Sequence, residues 1–166
     1  MTRQITTFLL GDTLLGIDIL LVKEVYRHKA MSLIPDAPAH LLGLMNLRGR
    51  VVTLIDLNIS MNRPPRVRRD NCRLLILKTQ EEIRKYADKE FLEDVRLGED
   101  IVGFLIDEMD DVLTIENEEI LPPPPHLVDI DGDFIEGVIK QGNRLIILLN
   151  VTAVLDIVMN ASIERD

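Results

Sequence analysis

Cysteine is nearly absent: the 166-residue chain has one, Cys72, which excludes a disulfide framework. The three histidines, His28, His40 and His126, are scattered, so no Cys/His cluster has the spacing of a zinc site. Tryptophan is missing, and two tyrosines with four phenylalanines leave little surface for stacking single-stranded bases. No apolar run approaches the ~18 residues of a membrane span. The first ten residues hold too short a run for a signal peptide. Basic residues are outnumbered, 19 against 28 acidic, and the net charge of −9 argues against nucleic acid and anionic membrane surfaces. Together these absences predict a soluble, cytoplasmic protein with no nucleic-acid partner and no direct membrane insertion.

What is present is 46% hydrophobic sequence, enough for a real core. It comes in short Leu-, Ile- and Val-rich segments such as Leu14–Ile19, Val51–Leu57, Leu74–Leu77, Ile101–Ile106 and Leu145–Val151. Turn signals separate them, among them Gly11-Asp12, Arg48-Gly49 and Gly142-Asn143. That punctuation predicts an all-β fold of the barrel or sandwich kind, with a hairpin signal at Gly142-Asn143 and Gly49-Arg50 in a similar place. Three stretches have helical spacing instead: Leu20–Tyr26, a charged insertion at residues 79–99, and a C-terminal helix at residues 151–163.

The chain also echoes itself. Leu15-Gly16-Ile17 with Val25 matches Val102-Gly103-Phe104 with Val112, and Gly43, Arg50 and Asp56 match Gly137, Arg144 and Asn150. Two small β units built on one plan follow, the first over roughly 14–70 and the second over roughly 71–150. The N-terminal strand is free to pack on either. Units near ~60 residues bury too little surface alone, so a joint core is expected.

Chemistry-bearing motifs are thin. Gly11 to Gly16 has phosphate-loop spacing, but Ile17-Asp18 replaces the lysine and hydroxyl that a nucleotide needs. Asp129, Asp131 and Asp133 alternate like a calcium loop, yet Phe134 stands where the glycine belongs. Cys72 has no activating companion. No catalytic residue, cofactor or metal site is therefore expected. Arg63 to Arg69 reads as a solvated linker, and Pro122–Pro125 as a stiff edge or connector. The remaining anomaly is Arg48, in a turn inside an apolar block. If it is buried it needs an acid, and Glu24 is the candidate partner; otherwise it is an exposed turn arginine.

Val22-x-Glu24-Val25, Ile34-Pro35-x-x-Pro38, Gly43-x-x-Asn46-Leu47-Arg48-Gly49 and Ile55-Asp56-Leu57 form one ordered set. Val102-Gly103-Phe104-x-Ile106-Asp107, Val112, Ile120 through Pro124, and Gly137 with Leu145–Asn150 continue it. Over about residues 5 to 157 the chain resembles the CheW-like family of bacterial chemotaxis coupling proteins. The resemblance implies two tandem SH3-like five-stranded β-barrels sharing a hydrophobic core, with a few short helices. It also implies a non-enzymatic adaptor between the cytoplasmic tip of chemoreceptors and the regulatory domain of the histidine kinase CheA. Such an adaptor sits in the cytoplasm and reaches membrane-attached arrays only through its partners. On this resemblance Val22, Glu24, Arg48 and Val112 fall in the receptor groove, and Pro125 and His126 at a kinase contact. Two rivals stay open: an adaptor of a pilus or exopolysaccharide array, and a small β-barrel nucleic-acid binder. The pattern departs at Arg73, at Pro125-His126 and in the length of the 79–99 insertion.

Overall fold

Alternating apolar segments and tight turns fold into strands, as the punctuation demands. A computed structural model describes residues 2–27, 41–60, 73–86, 88–89, 92–123, 126–127 and 130–156. Strands β1 (Thr2–Leu10) and β2 (Thr13–Asp18) form a hairpin whose turn uses Gly11 at φ 64°. They are followed by β3 (Val22–Arg27), β4 (Leu41–Leu47), β5 (Arg50–Asp56), the one-turn helix α1 (Leu57–Ser60) and β6 (Arg73–Leu77). After a second one-turn helix, α2 (Gln80–Ile83), come β7 (Ile101–Ile106), β8 (Glu108–Glu116) and β9 (Ile120–Leu121). The chain closes with β10 (His126–Leu127), β11 (Ile130–Asp131), β12 (Ile135–Gln141), β13 (Arg144–Leu149) and a helix α3 at residues 151–156.

These strands form two main sheets, ordered β3-β6-β7-β5-β4 and β8-β1-β2-β13-β12-β9, with β10 and β11 paired apart. The match between the two is close. In each, an antiparallel pair sits centrally (β6-β7, β1-β2), and its second strand runs parallel to the second strand of a hairpin (β5, β13). Each hairpin carries a register shift, between Leu41 and Gly43 and between Ile135 and Gly137. The repeated glycine therefore marks a repeated bulge. At Gly137 a Cβ would lie 2.7 Å from the Leu121 carbonyl oxygen, so β9 can pair there only against glycine.

Sheet membership does not follow the expected chain division. The five-stranded sheet takes β6 and β7 from beyond residue 70, and the six-stranded sheet takes β1 and β2 from the N-terminus. Each sheet thus takes its central pair from the other half of the chain. Parallel neighbours need long connections, so local turn signals report hairpins but not the β2–β13 and β5–β7 pairings. The exchange also explains the joint core: Phe8, Leu15 and Ile17 pack in one cluster with Ile55, Leu75, Phe104 and Ile147. A smaller cluster lines the other face of each sheet, around Ile5 and Ile146 in one and Val52 and Leu74 in the other.

The expected helix over Leu20–Tyr26 is a 3-10 turn, Ile19–Leu21, leading into strand β3. The Asp18 carboxylate accepts from the Leu20 amide at 2.8 Å, and β6 then satisfies the backbone from Val22 onward. A ladder partner outweighs the helical spacing of Val22 and Val25, whose branched side chains suit a strand. Among its described residues the 79–99 insertion is helical at 80–86 and at Leu92. Its α2 begins where Glu82 accepts from the Thr79 amide (3.0 Å) and hydroxyl (3.2 Å). Ile83, Leu92 and Leu97 are buried in the joint core, so the insertion is part of the packed body. In α3 Val154 and Leu155 are buried; residues 157–163 of the expected helix lie outside the described residues, as do Cys72 and the Arg63–Arg69 linker.

Candidate functional site

The turn between β4 and β5 places Arg48. A two-residue hairpin of this hand needs positive φ at both positions, and Arg48 (55°) and Gly49 (82°) supply it. Asn46 holds the turn by accepting from the Gly49 amide at 2.9 Å. Arg48 is the only non-glycine residue at positive φ among the described residues, a strained setting of the kind found at functional sites. The strain aims its guanidinium back at β3, where it meets Glu24 with two parallel bonds: Nη1–Oε1 at 2.8 Å and Nη2–Oε2 at 2.9 Å. This is the bidentate fork geometry that sets arginine apart from lysine.

The arginine is thus both paired and exposed: its side chain is 68% accessible, against 22% for Glu24. Tyr26, two residues along β3 on the same face, donates its hydroxyl to Glu24 Oε2, and its ring lies 5.5 Å from the Arg48 guanidinium. The Tyr26 bond, aided by Arg48, lowers the Glu24 carboxyl below its ordinary range. Glu24 in turn raises the Tyr26 phenol. The tyrosine is a member that sequence reasoning missed. Its i, i+2 spacing from Glu24 becomes a signal only once β3 is known to be a strand.

Beside the pair lies a small cleft of about 60 Å³, lined by Leu47, Val52, Ile76 and Ile101 as well as Glu24 and Arg48. Val25, Leu44 and Val51 are exposed on strands β3, β4 and β5 of the same sheet. Lys23, next to Glu24, is turned to the insertion by an ion pair with Glu82 at 2.8 Å. Val22 is half-buried and packs on the joint core. Val112 is exposed on β8 of the other sheet, opposite Thr6 of β1. Of the four residues expected in a groove, Glu24 and Arg48 touch, Val22 shares their strand with Glu24, and Val112 stands on the second sheet. His126 opens the short strand β10, opposite Asp131, while Pro125 is outside the described residues.

The second sheet repeats the device. Arg144, at the β12–β13 turn, reaches Asp110 of β8 at 2.5 Å, and Thr7 of β1 donates to the same carboxylate at 2.8 Å. Partial burial opposes ionisation of Asp110, but the bonds from Arg144 and Thr7 prevail and lower its carboxyl. A third cluster is internal: Arg3 Nε meets Asp18 at 3.2 Å and Nη1 meets Glu136 at 3.1 Å, with the arginine side chain 5% and the aspartate 2% exposed. Nothing in the local sequence pattern pairs Arg3 with residues 15 and 133 positions away. Asp131 of the supposed cation loop accepts from the Asp133 amide at 2.9 Å, capping its own turn. Among the described residues no group of three His, Cys, Asp or Glu is arranged to hold a metal ion, and no helix is long and apolar enough to cross a membrane.

Comparison with known proteins places this geometry. The family model described as CheW-like domain matches residues 4–159. Chemotaxis protein CheW of Treponema pallidum is 31% identical over 148 residues, covering 89% of this chain and 79% of that protein. Chemotaxis protein CheW of Bacillus subtilis is 29% identical over 162 residues, covering 94% and 92%. Among solved structures, the scaffolding protein TtCheW from Thermoanaerobacter tengcongensis superposes with a TM-score of 0.74 at 27% identity, over 93% of this chain and 88% of that one.

Proposed function

Because the chain belongs to the CheW-like domain family, we propose that it is a non-enzymatic adaptor of bacterial chemotaxis, coupling chemoreceptors to the histidine kinase CheA. Relatives named as chemotaxis proteins and as a scaffolding protein support the adaptor role. The observation that carries the receptor arm is the bidentate Glu24–Arg48 pair, held at a positive-φ turn beside an apolar cleft. A partner helix docks by anchors at i, i+3, i+4 and i+7, which want apolar surface. A charged pair at the rim fixes register more than affinity. Val22, Glu24 and Arg48 are the receptor-facing set in this reading, with Val112 flanking them from the second sheet. The kinase regulatory domain docks elsewhere, and the segment around Pro125 and His126 is the place we assign to it. Residues 5–157 work as one unit, at the membrane only through these partners.

The test is a titration of the protein with a receptor cytoplasmic fragment and with the CheA regulatory domain, run beside Arg48→Ala. Binding of both partners is expected, with the receptor arm weakened in the variant and the kinase arm kept. Binding of neither would overturn the adaptor reading. Loss of the fold in Arg48→Ala, with no separate binding defect, would remove the role of the pair.

A further inference from the structure

On a chain with net charge −9, three arginines line one cleft among the described residues. Arg50 follows the β4–β5 turn and lines the small cleft beside Glu24–Arg48. It also lines a second, larger cleft of about 520 Å³, whose far wall is the 79–99 insertion with Arg84 and Arg96. Both clefts thus include Arg50 in their lining. Arg96 is anchored, its Nη1 donating to the carbonyls of Glu93 (2.8 Å) and Val95 (2.9 Å). Arg50 and Arg84 are exposed, and neither guanidinium has an ion pair or hydrogen bond among the described residues. The acids lining this cleft are Glu81 and Glu99, and the polar residues Thr79, Gln80 and Gly98 complete the lining. Nearby charges are already spent on each other: Lys23 with Glu82, and Arg48 with Glu24. Three arginines against two glutamates leave a positive cleft on an acidic protein.

We propose that this cleft is an accessory docking site for an acidic stretch of the same helical partner that lies against Glu24–Arg48. The inference rests on the receptor reading above and extends it. Unpaired guanidinium groups favour carboxylates, and rim charges act mainly on encounter rate and register. The acidic remainder of the surface repels such a segment, so the cleft also selects where it lands. The described part of the insertion buries Ile83, Leu92 and Leu97 in the core, and its Arg84 and Arg96 line the cleft together with Arg50.

The experiment is a kinetic titration of the intact protein with a receptor cytoplasmic fragment, comparing the parent, Arg50→Glu/Arg84→Glu, Glu81→Gln/Glu99→Gln and Arg48→Ala. At low salt the reversal variant is expected to associate about tenfold more slowly, and the neutralised-acid variant faster than the parent. Both differences should fade near 1 M salt, where screening acts over about 3 Å. If both cleft variants bind like the parent while Arg48→Ala is defective, the accessory site is overturned and the receptor reading stands. If the parent itself does not bind, both fall. The neutralised-acid variant keeps the test decisive should charge reversal disturb folding, because its expected effect is a gain.

Discussion

The two sheets share a strand order, a bulged hairpin and an arginine at each hairpin turn, but they use their charges differently. In the six-stranded sheet, Arg3 of β1 is buried between Asp18 of β2 and Glu136 of β12, and Asp110 is tied to Thr7 as well as to Arg144. In the five-stranded sheet the ion pairs among the described residues lie at the surface: Glu24–Arg48 is supported by Tyr26 of the same strand, and Lys23–Glu82 by the insertion. One sheet binds its charges into its own framework; the other displays them next to an open cleft. Both sheets set an ion pair at the surface, and the six-stranded sheet adds a buried one.

The largest effect should come from breaking the internal cluster. Asp18→Ala leaves Arg3 buried with Glu136 as its remaining carboxylate among the described ion pairs. Stranding a buried charge costs about 3–5 kcal/mol, and the lower end is expected because Glu136 still faces it. Urea unfolding measures this, and Glu24→Ala beside it should leave the midpoint nearly unchanged. Equal losses from the two would erase the contrast between the sheets.

The matched glycines give a finer comparison. A Cβ on Gly16 would lie 2.7 Å from Ile5 Cγ2 and 3.2 Å from Ile146 Cγ2, both on stiff branched side chains. On Gly103 it would meet Ile76 Cδ1 and Leu54 Cδ2 at 2.9 Å, the movable ends of their side chains. Gly16→Ala should therefore destabilise by about 1–3 kcal/mol and Gly103→Ala by less, read from the same unfolding curves. The reverse order would mean that the two sheets do not pack as matched units.

The smallest effect is spectroscopic. The chain has two tyrosines and no tryptophan, so an alkaline absorbance titration resolves both phenols. Tyr86 should ionise first, its phenol lowered by a hydrogen bond from Lys78. Tyr26 should ionise last, raised above 10.0 by its bond to Glu24. The sign follows from linkage: the Tyr26–Glu24 bond favours the protonated phenol, so its contribution is whole below pH 10 and lost as pH rises through the raised value. Glu24→Ala should bring the two steps closer together. An unchanged separation would show that Tyr26 does not hold Glu24 in solution.

Much of this was readable in the residues. Short apolar runs and Gly-containing dipeptides report hairpins because those signals are local, and the Gly43/Gly137 echo marks a real bulge. Glu24 and Arg48 were legible as partners, since a turn arginine in apolar surroundings invites an acid. The exchange of central strands was not, because parallel pairing joins segments far apart in the chain. Leu20–Tyr26 was misread as helix because its spacing fits either period until β6 supplies a ladder. Tyr26, Arg3 and the Arg84 wall depend on those tertiary placements and become visible only with them.

The most direct test of the account is a receptor-fragment titration comparing Arg48→Ala with Arg144→Ala, the arginines of the surface ion pairs in the two sheets. The account predicts weakened receptor binding with Arg48→Ala and near-parental binding with Arg144→Ala. Equal defects, or a defect confined to Arg144→Ala, would contradict it.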